Sequence, residues 1–410
     1  MRKYLVKSAL FASCALILTG CNGASSSFSQ STTEPEVSQD AKGLTMTATP
    51  TPTTTPVKPG KGPECKGVRC VSVMTTGDVL LHEGLWEQAQ EDAAVTGNQP
   101  RDFYPLIEGQ KNYTNAADLS ICHMETPIGT ADGTFSAYPT FNVPPEIMPA
   151  LKKVGYQACD SASNHSFDVG TDGINRTIDG FNSAGLQHTG SYKTEADSKK
   201  PLIIQTPTAK IGLVVGTYGL NGLEADYPWQ VDLLDANTMI AKAKAARAQG
   251  ADLVIAAMHA GDEYSNTPNQ QQTDLAHALI DSGQFDYVYG HHTHSVLPIE
   301  QYKGKWIVYG LGNAETEHDP NNDVAMMGLL TRIQFSEDKN GKWTSSELAY
   351  APSTIGWNSF PYRWCSLATD KPQGTCTDDA TDQNLRQQVV TTVNSMGADK
   401  AGLKELLVKK

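Results

Sequence analysis

Imidazole, amide and carboxylate side chains recur in this 410-residue sequence where short apolar runs stop. Residues 253–258 read Leu-Val-Ile-Ala-Ala-Met and are followed at once by His259. Residues 287–289 read Tyr-Val-Tyr and are followed by Gly290, then His291, His292 and His294. Earlier runs stop at Asp78, at Glu125, and at Asn164 with His165. Such donors, without thiolates, suit Mn, Fe or Zn at a working site better than calcium or a structural zinc. A lone histidine after an apolar run is more often a polar loop residue. A His-x-His at one run's end, beside a second run ending Met258-His259-Ala260-Gly261-Asp262-Glu263, favours metal. One divalent metal takes about four of these donors; a set this large can hold two, about 3.5–4 Å apart, sharing a carboxylate. A cation there would lower the pKa of a water and polarise the bond under attack. His165 then has the role of general acid toward the leaving group, with Asp168 orienting it. Taken singly, Asp78 would serve as well as a helix cap, and Glu125 as a surface carboxylate.

These residues can meet only if the runs are neighbouring strands. Residues 70–75, 118–123, 156–162, 210–216, 253–258 and 287–289 read as strands. Residues 173–184, 234–249 and 383–395 read as helices. Strands that alternate with helices indicate a largely parallel sheet, and ligands sit beyond the carboxyl ends of such strands. Residues 324–335 and 343–350 read as a hairpin around Asn340-Gly341, a two-residue turn signal. The expected class is α/β, without internal repeats.

Residues 1–20 read as a signal peptide. Arg2, Lys3 and Lys7 form its charged end, and its apolar part is too short for a permanent span. Leu18-Thr19-Gly20-Cys21 resembles the lipobox of bacterial lipoproteins, in which the cysteine is acylated and becomes the mature N-terminus. Two acyl chains on Cys21 would anchor the chain stably; plain secretion with Cys21 incidental is the alternative. Residues 21–64 are a linker rich in Ser, Thr and Pro that cannot offset its own ordering entropy. Its Pro-rich half is expected to be extended, holding a domain off the membrane. Residues 65–410 are globular in composition, enough for one large domain or two smaller ones. The formal net charge of −13 becomes more negative once the leader is gone, which argues against nucleic acid as a partner. Of eight cysteines, Cys14 leaves with the leader and Cys21 is the lipid site. An even number in an exported chain suggests disulfides. Short loops pair Cys65 with Cys70 and Cys365 with Cys376. Cys122 and Cys159 are either a third bridge or buried free thiols.

The succession Gly77-Asp78-Val79, Glu125-Thr126-Pro127, Ser163-Asn164-His165-Ser166-Phe167-Asp168, His259-Ala260-Gly261-Asp262, Gly290-His291-His292-Thr293-His294 and Tyr309-Gly310-Leu311-Gly312-Asn313 resembles the CapA family. These are poly-γ-glutamate capsule biosynthesis proteins of the calcineurin-like metallophosphatase superfamily, and the resemblance covers about residues 70 to 315. It implies a four-layer α/β/β/α sandwich with the site at one sheet edge. It also implies a role at the outer face of the membrane in making, releasing or anchoring poly-γ-glutamate or a similar anionic wall polymer, beside capsule-synthesis membrane proteins. Asp78, Asn164, His259, His292 and His294 match the superfamily's metal ligands, and His165 its catalytic histidine. Glu125 matches the carboxylate of the family's Asn-Leu-Glu, which here reads His123-Met124-Glu125, so His123 is an extra ligand or a substrate contact. The superfamily's Asp-x-His is absent, since Asp78-Val79-Leu80 has no imidazole, and its Gly-Asp-x-x-Asp is not recognisable. One metal or two therefore stays open. Glu263 and Tyr264 offer substrate contacts or brace their loop. His291 stands where the superfamily has glycine and is not expected to be a ligand. His188, His277 and His318 read as surface or packing residues, and His82 is unassigned. Three functions compete: a metal-dependent hydrolase or transferase on the polymer, a metallophosphoesterase, and a lipid-anchored polymer tether without catalysis.

Overall fold

The computed structural model describes residues 60–317, 322–355 and 361–408. The leader, Cys21, nearly all of the linker and His318 lie outside the described residues. Along the chain the strands are β1 (Arg69–Leu80), β2 (Leu119–Met124), β3 (Ala158–Asp160), β4 (Gln187–Thr189), β5 (Leu202–Gln205), β6 (Lys210–Thr217), β7 (Leu253–His259) and β8 (Tyr287–His291). They continue as β9 (Ile299–Tyr302), β10 (Lys305–Val308), β11 (Asn313–Thr316), β12 (Met327–Glu337), β13 (Trp343–Thr354), β14 (Cys365–Ser366) and β15 (Lys404–Glu405). One sheet runs β14-β13-β12-β1-β2-β3-β4, with β11 also on β1 and β15 on β13; the other runs β5-β6-β7-β8-β10-β9. Strands β1 to β4 are parallel, as are β6 to β8, while β12 and β13 are antiparallel.

Side-chain alternation builds the layers. On β7, Ile255 and Ala257 join the core shared with the first sheet, whereas Val254, Ala256 and Met258 face outward. Outside them lie helix Ala236–Ala248, through Met239, Ala243 and Ala246, and helix Gln270–Asp281, through Ala276, Leu279 and Ile280. Burial on both faces explains the unbroken apolar run. On β1, Thr75 faces the other sheet: it and its β12 partner Thr331 reach the Tyr287 hydroxyl at 3.4 and 2.7 Å. Met74, Leu330, Ala349 and Ala351 take the opposite face, against Tyr113 and Trp364. Helices Ile147–Val154, Gly170–Ala184 and Asp379–Asn394 bury apolar residues in the core that includes the first sheet. The chain is thus the α/β sandwich of two sheets flanked by helices.

Four expectations need correcting. The hairpin between β12 and β13 turns over residues 338–342, not two residues, because the Asp338 carboxylate accepts the N–H groups of Asn340 and Lys342 at 2.8 and 2.9 Å. β3 is three residues long, because from Ser161 onward the serine hydroxyls bond backbone and end the ladder. β12 begins at Met327, after a short 3₁₀ turn over Asp323–Met326. β1 continues past residue 75 to Leu80 through a bulge. Its Thr75 pairs with Ile121 and its Asp78 with His123, so β1 has one residue more than β2 in that interval. The extra residue reverses the facing of the rest of the strand and turns Asp78 toward the space between the sheets. Gly77 sits in the bulge, where a Cβ would lie 2.2 Å from the Gly312 carbonyl oxygen.

Disulfides join Cys65 to Cys70, Cys122 to Cys159, and Cys365 to Cys376. The second ties β2 to β3 at directly paired positions, and in each strand the next residue is again a pair, His123 with Asp160.

Candidate metal centre

The strand ends deliver the polar residues to one place. β1 brings Asp78, β2 brings His123 and then Glu125, β7 brings His259, and β8 brings His291. His259 and His291 are register partners. Past β8 the backbone turns sharply: His292 and His294 have φ of 86° and 50°. Non-glycine residues held there cost roughly 1–3 kcal/mol each, a strain that collects at functional sites. The loop is fastened by the Tyr264 N–H on the Thr293 carbonyl at 2.7 Å and the His292 N–H on Asp78 at 3.3 Å. Gly290 lets the strand enter this turn, since a Cβ there would lie 2.0 Å from the Tyr309 carbonyl oxygen.

Asp78 is the hub. One oxygen accepts Nδ1–H of His291 at 2.7 Å, and the other lies 3.2 Å from Nδ1 of His294. His294 Nδ1 also meets Asn313 Oδ1 at 3.0 Å. Glu125 Oε1 is 3.7 Å from Nε2 of both His259 and His294. His259 Nε2 lies 2.6 Å from Asn164 Oδ1, and the Asn164 amide donates to Asn221 Oδ1 at 3.1 Å. Ligand-capable atoms of Asp78, Glu125 and His294 all lie within 4.8 Å of one another, as do those of Glu263, His292 and His294, and those of Asp78, His123 and His291. The fold therefore assembles Asp78, Glu125, Asn164, His259, His292 and His294. Glu263 is exposed at the rim, and the half-exposed Tyr264 has its ring 6.2 Å from that of His294.

His291, not expected among the ligands, is buried beside them and bonds Asp78 through Nδ1. The strand period carried the signal: Tyr287, Tyr289 and His291 alternate onto the face that also holds Ile255, Ala257 and His259. Asp160, Asn221 and Asn313 were missed as well. Asp160 bonds His123 Nδ1 and accepts the Tyr289 hydroxyl at 3.1 Å. His188 stacks on Phe181, and His277 stacks on Tyr302 and bonds Glu300 at 2.9 Å; both are packing residues. His82 lies edge-on to Phe141, and burial lowers its pKa to about 4.

The electrostatics ask for a cation. Burial alone would raise Asp78, but hydrogen bonds from His291 and His294 hold it well below the usual carboxylate range. Burial pushes Glu125 up to about 7, and the Asp78 charge adds to that. Burial, then the His294 charge, drives His292 down to about 3, and burial takes His259 well below the imidazole range. At His294 burial is overcome by Glu125 and Asp78, which raise it to about 9. Both Glu125 oxygens, His123 Nε2, His259 Nδ1, His291 Nε2 and His292 Nδ1 are buried without a hydrogen-bond partner. Orphaned polar atoms are rare in protein interiors, and a divalent cation would satisfy buried carboxylates and neutral imidazoles together. The residues fit a Mn, Fe or Zn centre.

Beside it, His165 Nδ1 meets Asp168 Oδ2 at 2.8 Å, and that oxygen also accepts the Phe141 N–H at 2.7 Å. The Phe141 ring stands edge-on to His165 at 4.7 Å. Tyr218, 42% exposed, leans over His292 with ring centres 4.5 Å apart.

Known proteins share this outline. The chain is 33% identical over 177 residues to the PGA biosynthesis protein CapA of Bacillus subtilis (strain 168), a match covering 41% of this chain and 44% of that protein. It is 28% identical over 291 residues to a probable polyglutamine synthesis accessory protein of Mycobacterium tuberculosis, covering 61% and 75%. The chain spans less than half the length of the Bacillus relatives it matches. Among solved structures, the calcineurin-like phosphoesterase YfkN from Bacillus subtilis is 15% identical at a TM-score of 0.43, covering 81% of this chain and 99% of that one, a likeness too distant to add to the fold seen directly. The family of the bacterial capsule synthesis protein PGA_cap matches residues 72–316, which hold all these strand-end residues, and the chain belongs to that family.

Proposed function

We propose that this chain is a metal-dependent hydrolase or transferase acting on poly-γ-glutamate or a similar amide-linked anionic wall polymer. It works at the extracytoplasmic face of the cell membrane, with residues 1–20 removed, Cys21 lipidated, residues 21–64 as the linker and residues 65–410 as the working domain. Capsule-synthesis membrane proteins are its neighbours there. Family membership supports the polymer. The observation that carries the chemistry is the set of buried, unpartnered donors beside a carboxylate-oriented histidine. Asp78, Glu125, Asn164, His259, His292 and His294 would hold one or two divalent transition metals, which when bound supply Lewis acidity and a nucleophile at neutral pH.

The remaining roles belong to the chain. Asp168 fixes the proton of His165 on Nδ1, so Nε2 is the atom that gives a proton to the leaving amine. Glu263 and Tyr264, at the rim, contact substrate. His123 belongs with the ligands rather than with substrate, since it is fully buried. The same dyad would protonate an ester oxygen, so a phosphoester is the competing substrate. The test is turnover of poly-γ-glutamate and of a generic phosphodiester by metal-replete protein. His165→Ala should keep its metal and lose about 10²–10⁴-fold in rate, whereas His259→Ala should lose both. Turnover of the phosphodiester alone would move the reading to a metallophosphoesterase. Turnover of neither, with His165→Ala still supporting polymer formation in cells, would leave a non-catalytic tether.

A further inference from the structure

The loop that leaves β6, residues 218–222, runs beside the donor cluster. The Tyr218 N–H donates to the His259 carbonyl at 3.0 Å, and the Thr217 hydroxyl to the Gly219 carbonyl at 3.1 Å. Asn221 Oδ1 accepts two bonds, one from Asn164 Nδ2 at 3.1 Å and one from the Tyr218 hydroxyl at 3.1 Å. The metal chemistry dictates which way both amides face. Asn164 Oδ1 lies 2.6 Å from His259 Nε2, and an amide meets a cation through its oxygen, so Asn164 turns its Nδ2 to Asn221. A donor arriving there needs an oxygen, so Asn221 presents Oδ1 to it and Nδ2 takes the other side. That Nδ2 lies 3.5 Å from His165 Nδ1. His165 Nδ1 already carries the proton given to Asp168 and cannot accept another. Among the described residues nothing else takes a bond from Asn221 Nδ2, and Asn221 is exposed. Its φ is 52°, with Gly222 next at 80°. A turn alone accounts for that φ, which asparagine tolerates. It does not account for an amide locked by a metal donor on one side and set beside the general acid on the other.

We propose that Asn221 is a catalytic residue of this site: its Nδ2 donates to an oxygen of the reacting group, while Asn164 and Tyr218 hold its Oδ1. The inference rests on the hydrolase or transferase reading above and adds a residue that meets the developing negative charge. Attack on a carbonyl or on a phosphoryl centre alike builds negative charge on oxygen. A donor already fixed in place stabilises that charge without having to reorganise. Asn221 gives a hydrogen bond only and transfers no proton. Tyr218 is the positioning residue for Asn221.

Inorganic phosphate, a tetrahedral oxyanion, is the probe, titrated by calorimetry into the full-length protein in detergent saturated with Mn(II). The wild type should bind it. Asn221→Gly suits the left-handed φ, so it should melt as the wild type does and bind phosphate about 10–100-fold more weakly. Tyr218→Phe keeps the ring over His292 and removes one of the two bonds to Oδ1, so it should weaken phosphate by less. On whichever substrate the protein turns over, Asn221→Gly should lower kcat about 10²–10³-fold and change KM less. Phosphate bound equally by Asn221→Gly and the wild type would overturn the inference. So would a loss that extra Mn restores, since Asn221 would then only orient Asn164. A larger loss in Tyr218→Phe than in Asn221→Gly would overturn it by placing the contact on the tyrosine, and no phosphate binding by the Mn-loaded wild type would overturn it outright. Weaker phosphate binding in Asn221→Gly, with no turnover of either substrate by the wild type, would keep the Nδ2 contact and defeat the hydrolase or transferase reading instead. No Mn binding by the wild type would overturn the metal-centre reading and this inference together.

Discussion

Glu315 on β11 is a buried carboxyl that no metal donor touches in the structure. It is fully buried, accepts the Gln110 side-chain amide, and has a second oxygen without a partner. Burial pushes it up to about 8, with the Gln110 bond offsetting only part. A carboxyl whose folded pKa is raised binds its proton more tightly in the native state than in the unfolded chain, where the value is about 4.3. Its stabilisation is therefore full below about 4.3 and is lost as pH rises toward 8. Glu315→Gln should leave the melting temperature nearly unchanged at pH 4–5 and raise it at pH 8. Melts of both proteins at the two pH values check this, and an equal pH dependence would place the effect in another group. A second comparison concerns the metal: His292→Ala should lower metal content, while His277→Ala should not, because His277 only stacks on Tyr302 and bonds Glu300. The donors were legible in the sequence wherever a polar side chain ended an apolar run, as at Asp78, His259 and His294. Asp160 was not, because its role is set by His123 across the strand pair, and nothing local to residue 160 announces a partner 37 positions away.

At the level of strands and turns, the period-2 alternation and the strand–helix succession gave the parallel core. The bulge in β1 was invisible, since it exists only as a mismatch between paired strands. The glycine at the end of β8 makes a direct test. In Gly290→Ala the new methyl would meet the Tyr309 backbone, which side-chain adjustment cannot relieve. The cost should be about 1–3 kcal/mol or more, with lower metal occupancy because His291 and His292 come directly after it. Gly219→Ala, where a Cβ meets nothing within 4 Å, should change neither melting nor metal. The three disulfides close loops of 5, 37 and 11 residues' separation. Chain-entropy reasoning ranks their contributions at about 2, 4 and 3 kcal/mol. Replacing Cys122 and Cys159 together should lower the melting temperature most, and replacing Cys65 and Cys70 least.

For the whole molecule, anchoring is the separable property. Among the described residues no helix is long and apolar enough to cross a membrane. The proposed attachment is a lipid on Cys21, which lies outside them. Cys21→Ala should move the protein from the membrane fraction to the medium, or leave it unprocessed. Detergent-dependent membrane association that survives the substitution would defeat the lipoprotein reading. Anchoring by two acyl chains is compatible with an acidic body, because the chains and not surface charge supply the affinity.

Cys122 and Cys159 each sit one residue before a member of the His123–Asp160 pair, on adjacent strands in register. The cross-link on the outward face thus fixes the spacing of the histidine and carboxylate on the inward face. Thiols stay reduced in the cytoplasm and join after export, so the export proposed above would give the chain an order of maturation: translocation, oxidation, then metallation. Protein accumulated in a reducing cytoplasm should carry less metal than the same chain collected after export. Oxidising the thiols before adding metal should remove the difference, and elemental analysis of the two preparations would show it.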